Sequence, residues 1–240
     1  THNANFTMKK LFLVFSIVLL AIAAVAQSKF YVYKTDGSAT EFLINDVDSI
    51  SFVAPTTGVE NGYEWVDLGL PSGLRWATCN VGATKPEEYG NYYAWGETSP
   101  KTTYSWSTYK WCNGSSSTLT KYNTSSSYGT VDNKTLLDLS DDAARANWGG
   151  SWRMPTDAEL TELREQCTWT WTTQNGVNGC KVTSKSNGNS IFLPAAGYRG
   201  GSSSGGAGRD GDYWSSSLGT GSSAGAYDLD FGSGRVSWSL

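Results

Sequence analysis

The sequence has 240 residues with 18 basic and 22 acidic side chains, and its net charge of −4 comes without any basic run. This balance argues against a protein that binds nucleic acid or an anionic membrane surface. Eleven tryptophans, 13 tyrosines and 27 glycines, with only 17% charged residues, indicate instead a β-rich, loop-rich domain held together by aromatic packing.

The first 26 residues are predicted to be upstream residues plus a secretory signal peptide. Met8 is the expected initiator, and Lys9 and Lys10 precede an apolar run of about 15 residues that ends at an Ala-Val-Ala cleavage site before Gln27. A membrane anchor, which is the alternative, requires roughly 20 apolar residues and different flanks. The mature chain is therefore expected to be exported, without insertion into the membrane.

Removal of the leader has a chemical consequence, because the only histidine of the chain is His2. The mature chain then has no histidine for Ser-His-Asp or Cys-His catalysis, for zinc binding or for proton transfer. Its net charge becomes about −6, since Lys9 and Lys10 are lost with the leader.

Two segments precede the main domain. Residues 27–53 predict a small β segment, with a hairpin turn at Asp36-Gly37 and a third short strand through Ile50 and Phe52. Such a hairpin is marginally stable by itself. Residues 54–61 have the composition of a linker.

The main domain is predicted to begin at Gly62 and to open with a hairpin. This hairpin joins residues 64–70 to residues 74–82 through a Pro-Ser-Gly turn. Residues 89–128 are rich in aromatic, serine and threonine residues without a clean period. They are expected to form long ordered loops.

Helical signals occur at two places. Ser140 is the predicted N-cap of a helix over residues 141–147, and Gly149 lies beyond its end. Thr156 and Glu159 form a capping box that begins a second helix. The residues predicted to share one face of that helix are Leu160, Leu163 and Cys167.

The last stretch alternates Gly/Ser tracts with aromatic residues. Two period-2 segments, residues 227–231 and 236–240, flank a Gly-Ser-Gly turn and predict a hairpin with one buried face. The side chains predicted to point into the core are Tyr227, Leu229, Phe231, Val236, Trp238 and Leu240. Those predicted to point outward are Asp228, Asp230, Arg235, Ser237 and Ser239. The tracts 200–208 and 219–225 bring few apolar groups and are predicted to be mobile.

The four cysteines allow three disulfide pairings in an exported chain, and their spacings contain no C-x-x-C to indicate zinc. A turn at residues 175–176 places Cys180 opposite Trp171, about 13 Å along the strands from the position that a bridge to Cys167 requires. A Cys79–Cys112 bridge and four free thiols both remain open.

Five motifs together are specific enough to indicate a family. They are GLPSGLRWATCNVGA, EEYGNYYAWGE, DDAARANWGGSWRMPTDAEL, NSIFLPAAGYRG and DYWSSS, which begin at residues 69, 87, 141, 189 and 212. Together they closely resemble the Fibrobacter succinogenes major paralogous domain of exported gut-bacterial proteins. The resemblance covers residues 62–240 and implies an α+β, C-type lectin-like fold with two short helices and long ordered loops. Family members carry a further strand beyond this point, so the sequence is expected to be truncated at its C-terminus.

That family in turn resembles formylglycine-generating enzymes and the variable proteins of diversity-generating retroelements. The resemblance implies an exported, non-enzymatic module of a Gram-negative bacterium (periplasmic, surface-bound or secreted) that binds an unknown protein or glycan ligand at the cell surface. The expected ligand-binding residues are Arg199, Arg209, Asp210, Asp212, Tyr213, Asp228, Asp230, Arg235, Ser237 and Trp238. In a retroelement target, the positions expected to vary are Asp210, Asp212, Asp228, Asp230, Gly232, Arg235, Ser237 and Ser239.

Two alternatives remain, an enzyme of the formylglycine-generating type and a structural or adhesive surface component. Formylglycine-generating relatives act through a late pair of cysteines, and no cysteine follows Cys180 here, so no catalytic residue is expected. No cofactor or metal is expected either. The calcium-binding triplets of sugar-binding relatives are missing, and Asp228 and Asp230, about 6–7 Å apart on one strand face, are expected to be solvated.

Overall fold

The computed structural model describes residues 29–33, 37–44 and 56–239, and for Phe30, Trp238 and Ser239 it describes the backbone only. The predicted signal peptide, the predicted third strand through Ile50 and Phe52, and the side chains of Trp238 and Leu240 lie outside this description. The chain divides into two compact units, residues 1–54 and residues 55–240.

The first unit contains an antiparallel hairpin, as the sequence predicts. Strands β1 (Lys29–Tyr33) and β2 (Ala39–Leu43) pair so that Lys29 lies opposite Leu43. Glu41 receives a salt bridge from Lys29 (2.7 Å) and a hydrogen bond from the Tyr31 hydroxyl (2.7 Å). These polar contacts across the strands fix the register on one face of the hairpin.

The second unit opens with a three-stranded antiparallel sheet of β3 (Thr57–Glu60), β4 (Tyr63–Asp67) and β5 (Arg75–Ala77). The predicted β4–β5 hairpin is confirmed. The predicted linker over residues 54–61 is corrected, because β3 lies within it. Gly58 allows β3 to pair closely with β4, because the ring of Trp65 lies directly over the Gly58 Cα and leaves no room for a side chain. A glycine that the sequence offers as a linker residue therefore serves close packing.

Residues 78–138 contain no strand or α-helix and form ordered loops, with 3-10 turns at Trp106–Thr108 and Ser126–Tyr128. These loops share a core cluster with the last sheet, and Trp95, Tyr122 and Leu137 are the loop residues buried in it. The Trp95 ring N–H donates to the Ser215 carbonyl (2.8 Å), which ties the loops to the last sheet.

Both predicted helices form, and the first begins two residues later than predicted. Residues 139–141 form a 3-10 turn, and α1 (Ala143–Trp148) begins after Asp142, whose side chain accepts a hydrogen bond from the Arg145 amide (2.9 Å). The N-cap is therefore Asp142 rather than Ser140, because a buried carboxylate is a stronger acceptor for the helix N–H groups. Helix α2 (Asp157–Gln166) begins at the predicted Thr156–Glu159 capping box.

A second antiparallel sheet follows α2 and consists of β6 (Cys167–Gln174), β7 (Val177–Ser184) and β8 (Ser190–Pro194). Its register places Trp171 opposite Cys180, which confirms the predicted offset between Cys167 and Cys180. All four cysteines are free, so no Cys79–Cys112 bridge is present.

The free thiols give a prediction about reactivity. Burial raises the pKa of both Cys167 and Cys180 to about 11, whereas Cys112 is partly exposed. Because alkylation requires the thiolate, we expect Cys167 and Cys180 to react with iodoacetamide about 100-fold more slowly than Cys112 at pH 8. Peptide mapping after a short pulse measures this, with the guanidinium-unfolded protein as the control. Equal labelling of the three thiols in the native protein would contradict the burial.

The Gly/Ser tract at residues 200–208 is more structured than its composition predicts. Strands β9 (Tyr198–Gly200) and β10 (Ser203–Gly205) form a hairpin within and beside it. Two backbone hydrogen bonds, from Tyr104 to Gly201 (2.7 Å) and from Gly201 to Tyr104 (2.8 Å), attach its turn to the long loops. The mobility of this tract remains a prediction.

The last sheet is formed by β11 (Asp210–Leu218), β12 (Ala226–Gly232) and β13 (Arg235–Ser239), all antiparallel. The predicted terminal hairpin is β12–β13, with Gly232 opposite Arg235. Leu229 and Phe231 are fully buried, and they pack with Leu163 of α2 and with Val182 of β7 in the largest core cluster. The described residues thus form a β-rich fold with two short helices and several small antiparallel sheets.

Candidate functional site

The outer face of the last sheet carries the charged side chains that the alternation predicts. In register, Asp212 of β11 lies opposite Asp230 of β12, and Asp230 lies opposite Ser237 of β13. Asp210 and Arg235 flank Gly232 in the neighbouring row. Five of the expected ligand-binding residues are therefore neighbours on one face: Asp210, Asp212, Asp230, Arg235 and Ser237.

Arg235 joins two of these carboxylates. Its guanidinium lies 2.9 Å from Asp230 and 3.1 Å from Asp210, and these bonds raise the pKa of Arg235, with Asp230 as the main cause. The Arg235 side chain is about half exposed. Arg235 therefore neutralises a cluster of like charges that would otherwise repel each other across the strands.

Asp212 is the third carboxylate of this cluster, and its Oδ2 atom is buried without a hydrogen-bond partner. Burial raises the pKa of Asp212, and the negative charges of Asp230 and Asp210 raise it further, while Arg235 opposes them. Like charges directly opposite in a sheet and an unsatisfied buried oxygen are both destabilising. Asp212 therefore lowers the stability of the folded protein. Residues that destabilise the fold in this way are common at functional positions.

The structure corrects the expected orientation of Asp228, and the ligand-binding roles of Tyr213 and Trp238 stay predictions. Asp228 was expected to point into solvent, but it is only 8% exposed and lies opposite Trp214 in the register. Tyr213 is half-buried, its ring stacks on Phe231 (5.7 Å between ring centroids), and its hydroxyl donates to the Pro194 carbonyl (2.8 Å). The side chain of Trp238 is outside the described residues.

Two concave regions divide the expected site. A small hollow of about 360 Å³ is lined by Arg209, Asp210 and Arg235. A larger cleft of about 1040 Å³ is lined by Arg199, Asp212 and many residues of the long loops. The ten expected residues therefore do not form one pocket, and the larger cleft is the better-formed candidate.

Aromatic side chains of the long loops and of the last strands border the larger cleft. Trp214 is 40% exposed, and its ring N–H donates to the Tyr93 carbonyl (3.2 Å). Tyr198 is 55% exposed, and its ring rests on Gly205, where a Cβ atom would lie 2.8 Å from the tyrosine Cζ. Trp106 is also exposed and is packed edge-to-face on Tyr109. These rings are held in place, yet each leaves part of its surface uncovered.

Sequence reasoning about the terminal strands missed most of these aromatic residues. Tyr92 and Tyr104 line the cleft as well, and they belong to loops that are 90 residues or more from β11 along the chain. The available signal was the density of aromatic residues in the motif EEYGNYYAWGE. It did not indicate which rings would be exposed, because exposure depends on how the loops pack on the last sheet.

The basic residues of the cleft differ in their partners. Lys101 forms a salt bridge with Glu97 (2.8 Å), and Arg153 forms one with Glu159 (2.6 Å). Arg199 forms no salt bridge within the described part of the chain, and its guanidinium lies over the rings of two tyrosines. It is therefore a cation in the cleft that no protein carboxylate neutralises.

Residues 29–33, 37–44 and 56–239 contain no group of three or more His, Cys, Asp or Glu side chains arranged to hold a metal ion. No helix within these same ranges is long and apolar enough to cross a membrane. Comparison of the chain with family models, with curated proteins and with solved structures found no match.

Proposed function

We propose that this chain is an exported, non-enzymatic binding module with a C-type lectin-like fold, and that its ligand binds in the larger cleft. The observation that carries the proposal is the border of exposed but fixed aromatic rings around an unpaired arginine. Aromatic residues and arginine dominate the binding energy of protein surfaces, because they offer large contact areas at a low entropy cost. The five sequence motifs support the fold that this proposal assumes.

The chemistry of the cleft favours binding over reaction. Cys79 is the one thiol among the described lining residues, and burial raises its pKa, which disfavours the reactive thiolate. The carboxylate of Glu159 is engaged by Arg153 and by the Thr156 amide (2.8 Å). Glu60 is engaged by the Ser151 amide and by the Ser151 hydroxyl (2.8 Å). These groups are occupied by the fold, so they are poorly placed as bases or nucleophiles.

We also propose that the outer face of the last sheet is a variable-type display surface. Asp230, Arg235 and Ser237 project from a sheet whose opposite side carries the buried Leu229 and Phe231. Because the core packs against only one face of this sheet, substitutions on the opposite face are expected to change the stability of the protein little. This arrangement suits a retroelement target protein, and it suits an adhesive surface component equally well.

Binding of the mature chain to arrays of oligosaccharides and of peptides tests the proposed cleft. We expect Trp214→Ala to weaken binding of any captured ligand about tenfold or more, because the variant removes the central exposed ring. Leu139→Ala is the control, since Leu139 is 52% exposed and lies outside the cleft. Equal losses in the two variants, or no bound ligand on either array, would refute the proposal.

A further inference from the structure

We infer that the cleft binds a saccharide that carries a carboxylate, with Arg199 holding the acid and the neighbouring aromatic rings holding the sugar. This inference rests on the proposed function and names the class of its ligand. It starts from the polar atoms that the fold leaves without partners.

Four buried side-chain nitrogen or oxygen atoms in the described residues have no hydrogen-bond partner. Three of them belong to residues that line the larger cleft, namely Trp76, Arg199 and Asp212. Buried polar groups without partners are uncommon in folded proteins, and each requires an explanation. The walls of this cleft therefore hold three of the four unsatisfied buried polar atoms, so this is where the described part of the fold departs most from full hydrogen bonding.

We assign the charge of the ligand to Arg199, because Arg75, which also lines the cleft without a salt bridge in the described residues, lies against the Trp65 ring, 4.0 Å from its centroid. Its guanidinium lies 5.9 Å from the ring centroid of Tyr92 and 5.7 Å from that of Tyr104. Its remaining contact is a long hydrogen bond to the Ser202 carbonyl (3.4 Å). The Nε atom is buried and one terminal nitrogen donates to Ser202, so the remaining terminal N–H groups are the donors that can bind a carboxylate.

Hydrogen bonds fix the two tyrosine rings over which the Arg199 guanidinium lies. The Tyr104 hydroxyl donates to the Tyr92 carbonyl (2.7 Å), and the Tyr92 hydroxyl donates to the Ala196 carbonyl (2.6 Å). The backbone pair between Tyr104 and Gly201 fixes the adjoining hairpin turn. A cation that is already placed loses little entropy when it binds an anion, which increases affinity.

The aromatic rings indicate a saccharide rather than an acidic peptide. Tyr198 is 55% exposed and its ring adjoins Gly205 at the border of the cleft, although as the strand neighbour of Arg199 it projects from the other face of β9. Trp214 borders the same cleft with its N–H group already bonded to the protein, so the ring surface is what remains for a ligand. Exposed, fixed ring faces suit the apolar C–H face of a sugar ring.

The test compares trigalacturonate with its methyl ester, which has the same sugar rings but no charge, by calorimetric titration of the full chain. We expect the acid to bind at least tenfold more tightly than the ester. Arg199→Gln is expected to remove this preference, and Arg199→Lys to restore part of it. Arg164→Gln is the matched control, because Arg164 of α2 lies outside both concave regions, and it is expected to keep the preference.

Several outcomes would overturn the inference. They are equal affinity for acid and ester, equal effects of Arg199→Gln and Arg164→Gln, and tighter binding of a glutamate-rich peptide or of a sulfated trisaccharide. The acid-to-ester comparison uses the unmodified chain, so it decides the matter even if Arg199→Gln fails to fold. A neutral sugar or a peptide whose binding Trp214→Ala still weakens would refute the acidic saccharide while leaving the proposed cleft intact.

Discussion

Substitution of Phe231 by alanine is expected to lower the free energy of unfolding by about 3–5 kcal/mol, which is the usual cost of removing a buried aromatic ring. Phe231 is fully buried and touches two other rings, with centroid distances of 5.7 Å to Tyr213 and 5.8 Å to Trp169. Its ring also covers Gly211, directly opposite on β11, where any Cβ atom would overlap it.

Asp230→Ser is the matched control for this substitution, because Asp230 is the next residue and points to the other side of the sheet. Its interaction with Arg235 is partly exposed, so we expect a loss below about 1 kcal/mol. Urea unfolding monitored by tryptophan fluorescence measures both changes. Similar losses in the two variants would show that the face assignment of β12 is wrong, and the display surface with it.

The local signals of the sequence predicted the elements well. The capping box at Thr156 begins a helix as expected, and the turn at residues 175–176 sets the register that places Cys180 opposite Trp171. Such features depend on residues within one turn or one hairpin, so neighbouring sequence carries all the information. The inward positions Leu229 and Phe231 followed from the same kind of local pattern.

The composition of the site could not be predicted in this way. Alternation identifies the two faces of β12, but it does not show that Trp214 and the neighbouring strands bury Asp228 on the outer face. The sequence does not show whether Tyr213 packs in the core or contacts a ligand, because its contacts with Phe231 and with Asn80, which lies 133 residues away, form only in the folded chain. The cleft combines loops and strands that are distant in the chain, and only tertiary packing brings them together.

The second large effect is expected at Asp141, whose carboxylate is almost fully buried in the loop region. Its Oδ2 atom accepts hydrogen bonds from the Lys121 ammonium (2.5 Å) and the Tyr122 hydroxyl (2.7 Å), and its Oδ1 atom accepts one from Lys110 (3.3 Å). Removing one member of a buried ion pair leaves the other charges uncompensated. We therefore expect Asp141→Asn to lower the free energy of unfolding at pH 7 by about 2–3 kcal/mol, less than for a fully buried pair because Lys110 is half exposed.

The same carboxylate gives the protein a defined sensitivity to acid. Burial alone would raise the pKa of Asp141, but the hydrogen bonds from Lys121, Tyr122 and Lys110 outweigh it, so its pKa lies below the usual value. A lowered pKa in the folded state means that stability is present above the pKa of the unfolded chain, near 3.9, and is lost as the pH falls through the folded pKa. Urea unfolding between pH 7 and pH 3 should therefore show a smaller loss of stability in Asp141→Asn than in the unmodified protein.

Asp138→Asn is the control, because Asp138 contacts Lys121 and Lys134 but is far more exposed, and it should cost less than about 1 kcal/mol at pH 7. If the two variants lose equal stability at pH 7, Asp141 does not hold the loops together in the way that its contacts indicate.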